Sequence, residues 1–189
     1  PLASATDTAP HTRTANLTTS SLANGIYYIK STITDIFDQT SNVNGTSFAT
    51  QTPNAVGIYG GTVSGGSATS MSASDNSRYQ VASASNSVNY YAVFSGFGSG
   101  SILSGNVTVE LNAAATGTAT ISAWNNSTGA WVNVGTTSVG TSDATSTFAL
   151  PSSPSQYLTS TGDAFIRVSM SRSSSFTLRN DYMRMTVNR

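Results

Sequence analysis

Asn106-Val107-Thr108-Val109-Glu110-Leu111-Asn112 alternates polar and apolar residues without a break, and a period of two marks a half-buried β-strand. Val107, Val109 and Leu111 are expected to face a core, and Thr108, Glu110 and Asn112 the solvent. The same period appears on both sides of it. Upstream, Val88, Tyr90, Ala92 and Phe94 share one face of a strand, and Tyr79-Gln80-Val81 follows a turn at Asp75-Asn76-Ser77. Downstream, Thr118 to Trp124 and Ala130 to Val134 flank Asn125-Asn126-Ser127-Thr128-Gly129, a hairpin loop. Thr145 to Leu150, Ala164 to Met170, Ser175 to Arg179 and Tyr182 to Val187 follow; in the last, Met183, Met185 and Val187 point one way and Tyr182, Arg184 and Thr186 the other. No amphipathic helix of useful length appears after residue 40. Many short strands with regular turns predict an all-β fold, an antiparallel β-sandwich or jelly roll.

The first quarter of the chain reads differently. Residues 1–25 have few large apolar groups and no clear period. The segment from Ile26 to Phe37 is apolar, with Tyr27, Ile29, Ile33 and Phe37 on one face of a strand. Ile29, Ile33 and Ile36 would also share a helix face, and the β-branched and aromatic content favours the strand. Residues 38–55 read as a linker or long loop. The division expected is therefore an N-terminal extension over 1–52 and a sandwich domain over 53–189.

Composition removes several function classes. Charged residues make up 8% of the 189 residues and the formal net charge is zero, so there is no electrostatic footprint for nucleic acid or an anionic membrane. No apolar run approaches the length that spans a bilayer. About a third of the residues are Ser or Thr. Such a surface stays soluble through hydroxyls and amides, and it points to a secreted, extracellular or cell-surface protein. If the chain is exported, the absence of a leader marks it as a mature form.

Catalytic residues are not expected. The single histidine, His11, lies in the tail, so no Ser-His-Asp or Cys-His constellation can form around a core. Glu110 is the single glutamate and sits on the outward face of its strand. Gly60-Gly61 and Gly65-Gly66 open no helix that could cradle phosphate. No cofactor is implied.

The run from Pro53 to Arg189 resembles a jelly-roll β-sandwich module, grouped with galactose-binding-like domains, of secreted bacterial surface proteins. The stretches that carry the resemblance are Asp75 to Val81, Tyr91 to Gly96, Ile121 to Trp124 with Trp131 to Val134, Val139 to Asp143, Phe165 to Val168, Ser174 to Arg179 and Asp181 to Val187. The resemblance implies a fold, and it brings no catalytic residue with it. Residues 1–52 lie outside it.

Three kinds of binding site are candidates. Trp124 and Trp131 flank one hairpin, with Tyr90, Tyr91 and Tyr182 also available, and could stack on pyranose rings, although a sandwich core would use the same residues. Asp75 and Asn76 on a turn, with Asp181 from another strand, offer the hard oxygens that jelly-roll modules sometimes give to calcium. Turn formation by Asp and Asn accounts for the first two equally well, and no metal is assigned. Sequons occur at Asn16, Asn44, Asn106, Asn125 and Asn126, with Asn125 and Asn126 expected to be the most accessible on their hairpin tip. The arginines from Arg167 to Arg189 read as ordinary solvated strand faces.

Two functional readings follow. In the first, the extension is surplus to a complete sandwich, and an arm carrying Ile26, Tyr27, Ile29, Ile33, Ile36 and Phe37 adds as a donor strand to the next subunit. Repeated head to tail, that contact builds an open homopolymer, a pilus-like extracellular filament whose partners are copies of itself. In the second, the chain is a carbohydrate-binding or cell-adhesion module with 1–52 as stalk.

Overall fold

The computed structural model of the chain describes residues 23–34 and 40–189. It contains twelve strands: β1 (Gly25–Thr34), β2 (Thr40–Gln51), β3 (Ala55–Gly60), β4 (Thr62–Gly65), β5 (Tyr79–Ala82), β6 (Ser87–Phe94), β7 (Ser104–Ala113), β8 (Gly117–Asn125), β9 (Ala130–Val139), β10 (Ala144–Ala149), β11 (Ala164–Ser171) and β12 (Thr177–Asn188). Two 3₁₀ turns, Ala68–Met71 and Pro154–Tyr157, are the helical elements described.

All pairings are antiparallel, and the strands form two sheets. One runs β3-β6-β11-β8-β9. In the other, β12 pairs along its length with β7, which continues to β10, while its other edge is shared by β5, with β4 beyond it, and β2, with β1 beyond it. From β5 to β8 and again from β9 to β12 the chain passes from one sheet to the other at every connection. The result is the antiparallel jelly-roll sandwich that the alternating pattern predicts.

The core lies between the sheets and follows the period of two. Val107, Val109 and Leu111 of β7 and Met183, Met185 and Val187 of β12 are fully buried, facing Val88, Tyr90, Ala92 and Phe94 of β6 and Ile166 and Val168 of β11. Asn180 is buried among them and satisfies one polar group by donating its side-chain N–H to the Tyr90 hydroxyl at 2.9 Å. Burial raises the Tyr90 pKa well above that of an ordinary phenol.

Three expectations need correction. The stretch read as a loop over 38–55 holds the twelve-residue strand β2, which a polar sequence hid because tertiary pairing decided its conformation. The two C-terminal strands expected at 175–179 and 182–187 are one strand, β12, with a register shift between Asn180 and Tyr182. Most consequentially, the arm is spoken for within its own chain: β1 pairs with β2, and β2 pairs with β12 at Met185↔Gln51 through Asn188↔Phe48. Phe48, Ala49 and Thr50 are buried there, and Tyr27 stacks on Phe48 with ring centroids 5.0 Å apart. Ile26 is exposed. Ile29 and Ile33 lie in β1, Ile33 opposite Ser41, with side chains outside the described set, and Ile36 and Phe37 lie outside the described residues. A strand hydrogen-bonded to its own sheet is not a free donor for a neighbour's.

Candidate functional site

The five-stranded sheet buries one face and turns the other outward, and its sequence places large aromatics on the outward face. In β8, Ile121 and Ala123 point into the core, so Trp124 takes the opposite phase. The turn at Asn125–Gly129 then sets Trp131 of β9 directly across from Trp124, with ring centroids 5.3 Å apart and planes at 69°. Asn125 holds that turn: its Oδ1 accepts from the N–H groups of Ser127 (2.9 Å) and Thr128 (3.1 Å). In β6, Tyr91 alternates with buried Tyr90 and Ala92 and faces outward. Tyr59 is the extra residue of a bulge in β3, between Ile58 and Gly60, and is 59% exposed.

These side chains converge. β3 and β9 are opposite edges of the sheet, four strand spacings or roughly 19 Å apart, yet the Tyr59 and Trp131 rings are 6.3 Å apart. Tyr91 lies 5.2 Å from Tyr59, 6.2 Å from Trp131 and 6.3 Å from Phe165 of β11. Long aromatics therefore lean inward from both edges and leave an open depression of about 180 Å³ lined by Tyr59, Tyr91, Trp124, Trp131 and Phe165. Ser122 also points outward but is buried.

Arg167 stands in the middle of this face. It occupies β11, opposite Tyr91 on one side and Ser122 on the other, with its guanidinium carbon 4.9 Å from the centre of the Trp131 ring. Its Nη2 donates to Ser122 Oγ at 3.5 Å, while its buried Nε has no hydrogen-bond partner. One register step further along lie Asn89, Ser169 and Thr120, a polar strip beside the aromatic depression.

Both tryptophans expected to bind sugar or fill the core are thus on the outer face and outside the core. Sequence reasoning left Tyr59 and Phe165 out of the site. The phase of β8 was a legible signal for Trp124, whereas the bulge that exposes Tyr59 was not.

The acidic candidates fall in a separate place. Asp75 caps its own turn, its Oδ1 accepting from the Ser77 N–H at 2.8 Å, and it is not part of the carboxylate group. Asp181 is, at 1% exposure, together with Glu110 and Asp143; one oxygen from each lies within 4.8 Å of the others. Glu110 is half-buried, not on an open solvated face. Asp143 is already engaged by Arg78 (2.6 Å) and by Asn112. Asp181 Oδ2 accepts from the Asn76 N–H at 3.1 Å, and its Oδ1 is buried without a partner. Hard oxygens of this kind suit a divalent cation, and Arg78 supplies positive charge to the group from within the chain.

Of the sequons, Asn126 and Asn106 are exposed. Asn125 is not the accessible residue expected: it is 5% exposed and donates to Gln156 Oε1 at 2.9 Å. Asn44 lies in β2 opposite Lys30, with its side chain outside the described set, and Asn16 and His11 lie outside the described residues. No helix among the described residues is long and apolar enough to cross a membrane.

No family profile and no curated protein matches the chain in sequence. Carbohydrate-binding modules are among the solved structures with a similar sandwich. A CBM4 structure is 16% identical with a TM-score of 0.43, covering 61% of this chain and 87% of its own. A family 29 module complexed with cellulohexaose is 12% identical with a TM-score of 0.47, covering 74% and 91%. A family 29 module from Piromyces equi is 8% identical with a TM-score of 0.43, covering 87% and 91%. At these identities the likeness is one of fold. With the arm paired inside its own sheet, the filament reading, with its self-copies as partners, is withdrawn.

Proposed function

We propose that this chain is a secreted, non-catalytic carbohydrate-binding module whose ligand lies on the outer face of the five-stranded sheet. The observation that carries this reading is the convergence of Tyr59, Tyr91, Trp124, Trp131 and Phe165 on one open depression. Apolar rings gathered at a surface are costly to leave in water unless something covers them. A pyranose presents just such a cover, with C–H faces that pack on aromatic rings and hydroxyls that need polar partners. Asn89, Ser169 and Thr120 lie next to the rings and supply them. The five strands carry no carboxylate, which supports a surface that holds sugar without cleaving it, since glycoside hydrolysis ordinarily uses a pair of them. The Ser- and Thr-rich, charge-poor composition supports an extracellular setting.

The test is binding of the intact chain to a glycan array, followed by affinity electrophoresis of Trp131→Ala. Val63→Ser, an exposed change on the other sheet, serves as control. Binding is expected for the wild type and the control and lost in Trp131→Ala. A wild type that binds no glycan, or a Trp131→Ala variant that binds as tightly as wild type, sinks the reading.

A further inference from the structure

We propose that the glycan is acidic, carrying carboxylate or sulfate groups, and that Arg167 is the residue that reads the anion. This rests on the outer face being the glycan surface, as proposed above.

Arg167 is the single charged side chain in all five strands of its sheet. Three other arginines of the sandwich have shorter contacts to acceptors within the chain, although the Nε atoms of Arg78 and Arg189 are buried without a partner as that of Arg167 is. Arg78 pairs with Asp143 at 2.6 Å. Arg189 donates Nη2 to the carbonyls of Phe97 and Gly98, each at 2.8 Å. Arg179 donates Nε to Gln80 Oε1 at 3.3 Å. Arg167 has the Trp131 ring, one long contact to Ser122, and a buried Nε with no acceptor. A guanidinium held among aromatic rings and without a counter-charge is unfavourable unless something compensates it. The five strands of this sheet hold no carboxylate to do so.

The position also suits an anion on a sugar. Arg167 is half-buried, at the border between the aromatic depression and the polar strip. Tyr91 and Ser122 are its direct cross-strand neighbours. A sugar ring stacked in the depression would set an exocyclic acidic group against the guanidinium. The planar fork of arginine matches carboxylate or sulfate oxygens with paired hydrogen bonds that a lysine could not reproduce. Neutral sugar hydroxyls need acceptors as well as donors, whereas Arg167 has no acceptor to give them. With no acidic residue on the five strands, nothing there repels an anionic chain.

The experiment compares three probes by isothermal titration on the wild type: oligogalacturonate, its methyl ester with the same sugar backbone but no charge, and cellulohexaose. Oligogalacturonate is expected to bind at least tenfold more tightly than its ester and to weaken as salt is raised. Arg167→Gln, checked for an unchanged unfolding midpoint, should bind acid and ester alike, and Arg167→Lys should keep only part of the preference. Dextran sulfate distinguishes the source of the charge: if it outcompetes oligogalacturonate, the anion is a sulfate. If ester and cellulohexaose bind the wild type as tightly as the acid does, acidic selectivity is overturned while the glycan surface stands. A preference retained in Arg167→Gln removes Arg167 from the role. Failure of all probes together with a negative array brings down the surface itself.

Discussion

The ring of Tyr91 lies against the backbone of Gly57 on the neighbouring strand, so closely that a Cβ at Gly57 would stand 2.3 Å from Tyr91 Cζ. Glycine here is a matter of close approach: the missing side chain leaves room for the phenol, which stands beside Tyr59 with ring centroids 5.2 Å apart and planes at 38° and completes one wall of the depression. Gly57→Ala is therefore expected to push the Tyr91 ring off its seat. Glycan affinity should fall about five- to tenfold, roughly 1–1.4 kcal/mol, with the unfolding midpoint nearly unchanged. Titration alongside thermal unfolding checks both halves, and unchanged affinity in a folded variant removes Gly57 from the site.

Phe48 tests whether the N-terminal hairpin belongs to this sandwich. It is buried at 5% exposure against Tyr27 and the end of β12. Truncating a buried Phe leaves a cavity, so Phe48→Ala should cost about 3 kcal/mol of stability. Denaturant unfolding measures it. A cost below about 0.5 kcal/mol, the size of an ordinary surface change, would mean that the hairpin contributes little to its own domain.

Inside the core, Tyr90→Phe removes the acceptor for the buried Asn180 N–H. An unpaired buried donor costs about 1–3 kcal/mol. Adding Asn180→Leu to the same chain removes the stranded amide and should recover part of the loss. Equal stability of Tyr90→Phe and wild type in chemical unfolding would show that the bond contributes nothing net.

The Arg78–Asp143 pair sets an acid limit. The hydrogen bond from Arg78 holds the Asp143 carboxyl below its ordinary value of 3.8, with help from Asn112 and against the opposing effect of burial. A carboxyl depressed in the folded state stabilises fully above its unfolded value, and that stabilisation is lost as pH falls through the lower folded value. Unfolding midpoints should thus decline below about pH 4, and less steeply in Asp143→Asn. Both side chains are about a quarter exposed, so the contribution is about 1 kcal/mol or less. Asp163, held low chiefly by Thr161, leaves some acid sensitivity in the variant. Identical pH profiles for the two proteins would remove the pair as its source.

Much of the sandwich is legible in single strands, because alternation is local. The pattern of Asn106–Asn112 names Val107, Val109 and Leu111 as core without reference to any other part of the chain, and the same phase rule puts Trp124 outside when Ile121 and Ala123 are inside. Hairpin chemistry is local too: Asn125–Gly129 announces the turn that pairs Trp124 with Trp131. Polar sequence misleads where pairing decides. Thr40–Gln51 has little alternation to show, and it is a strand because β12 offers it an edge.

What no local pattern contains is which strands become neighbours. Tyr59, Tyr91, Trp131 and Phe165 are spread over more than a hundred residues and meet because the order β3-β6-β11-β8-β9 gathers their strands and a bulge turns Tyr59 outward. The setting of Arg167 is likewise a property of the sheet: among the C-terminal arginines of the sequence it looks ordinary, and only the assembled sheet shows that none of its five strands carries an acidic residue. The sequence determined the alternation, the turns and the charge-poor surface, since each depends on a residue and its near neighbours. The tertiary structure decided the binding surface and the fate of the N-terminal hairpin, since both are set by pairings between strands far apart in the chain.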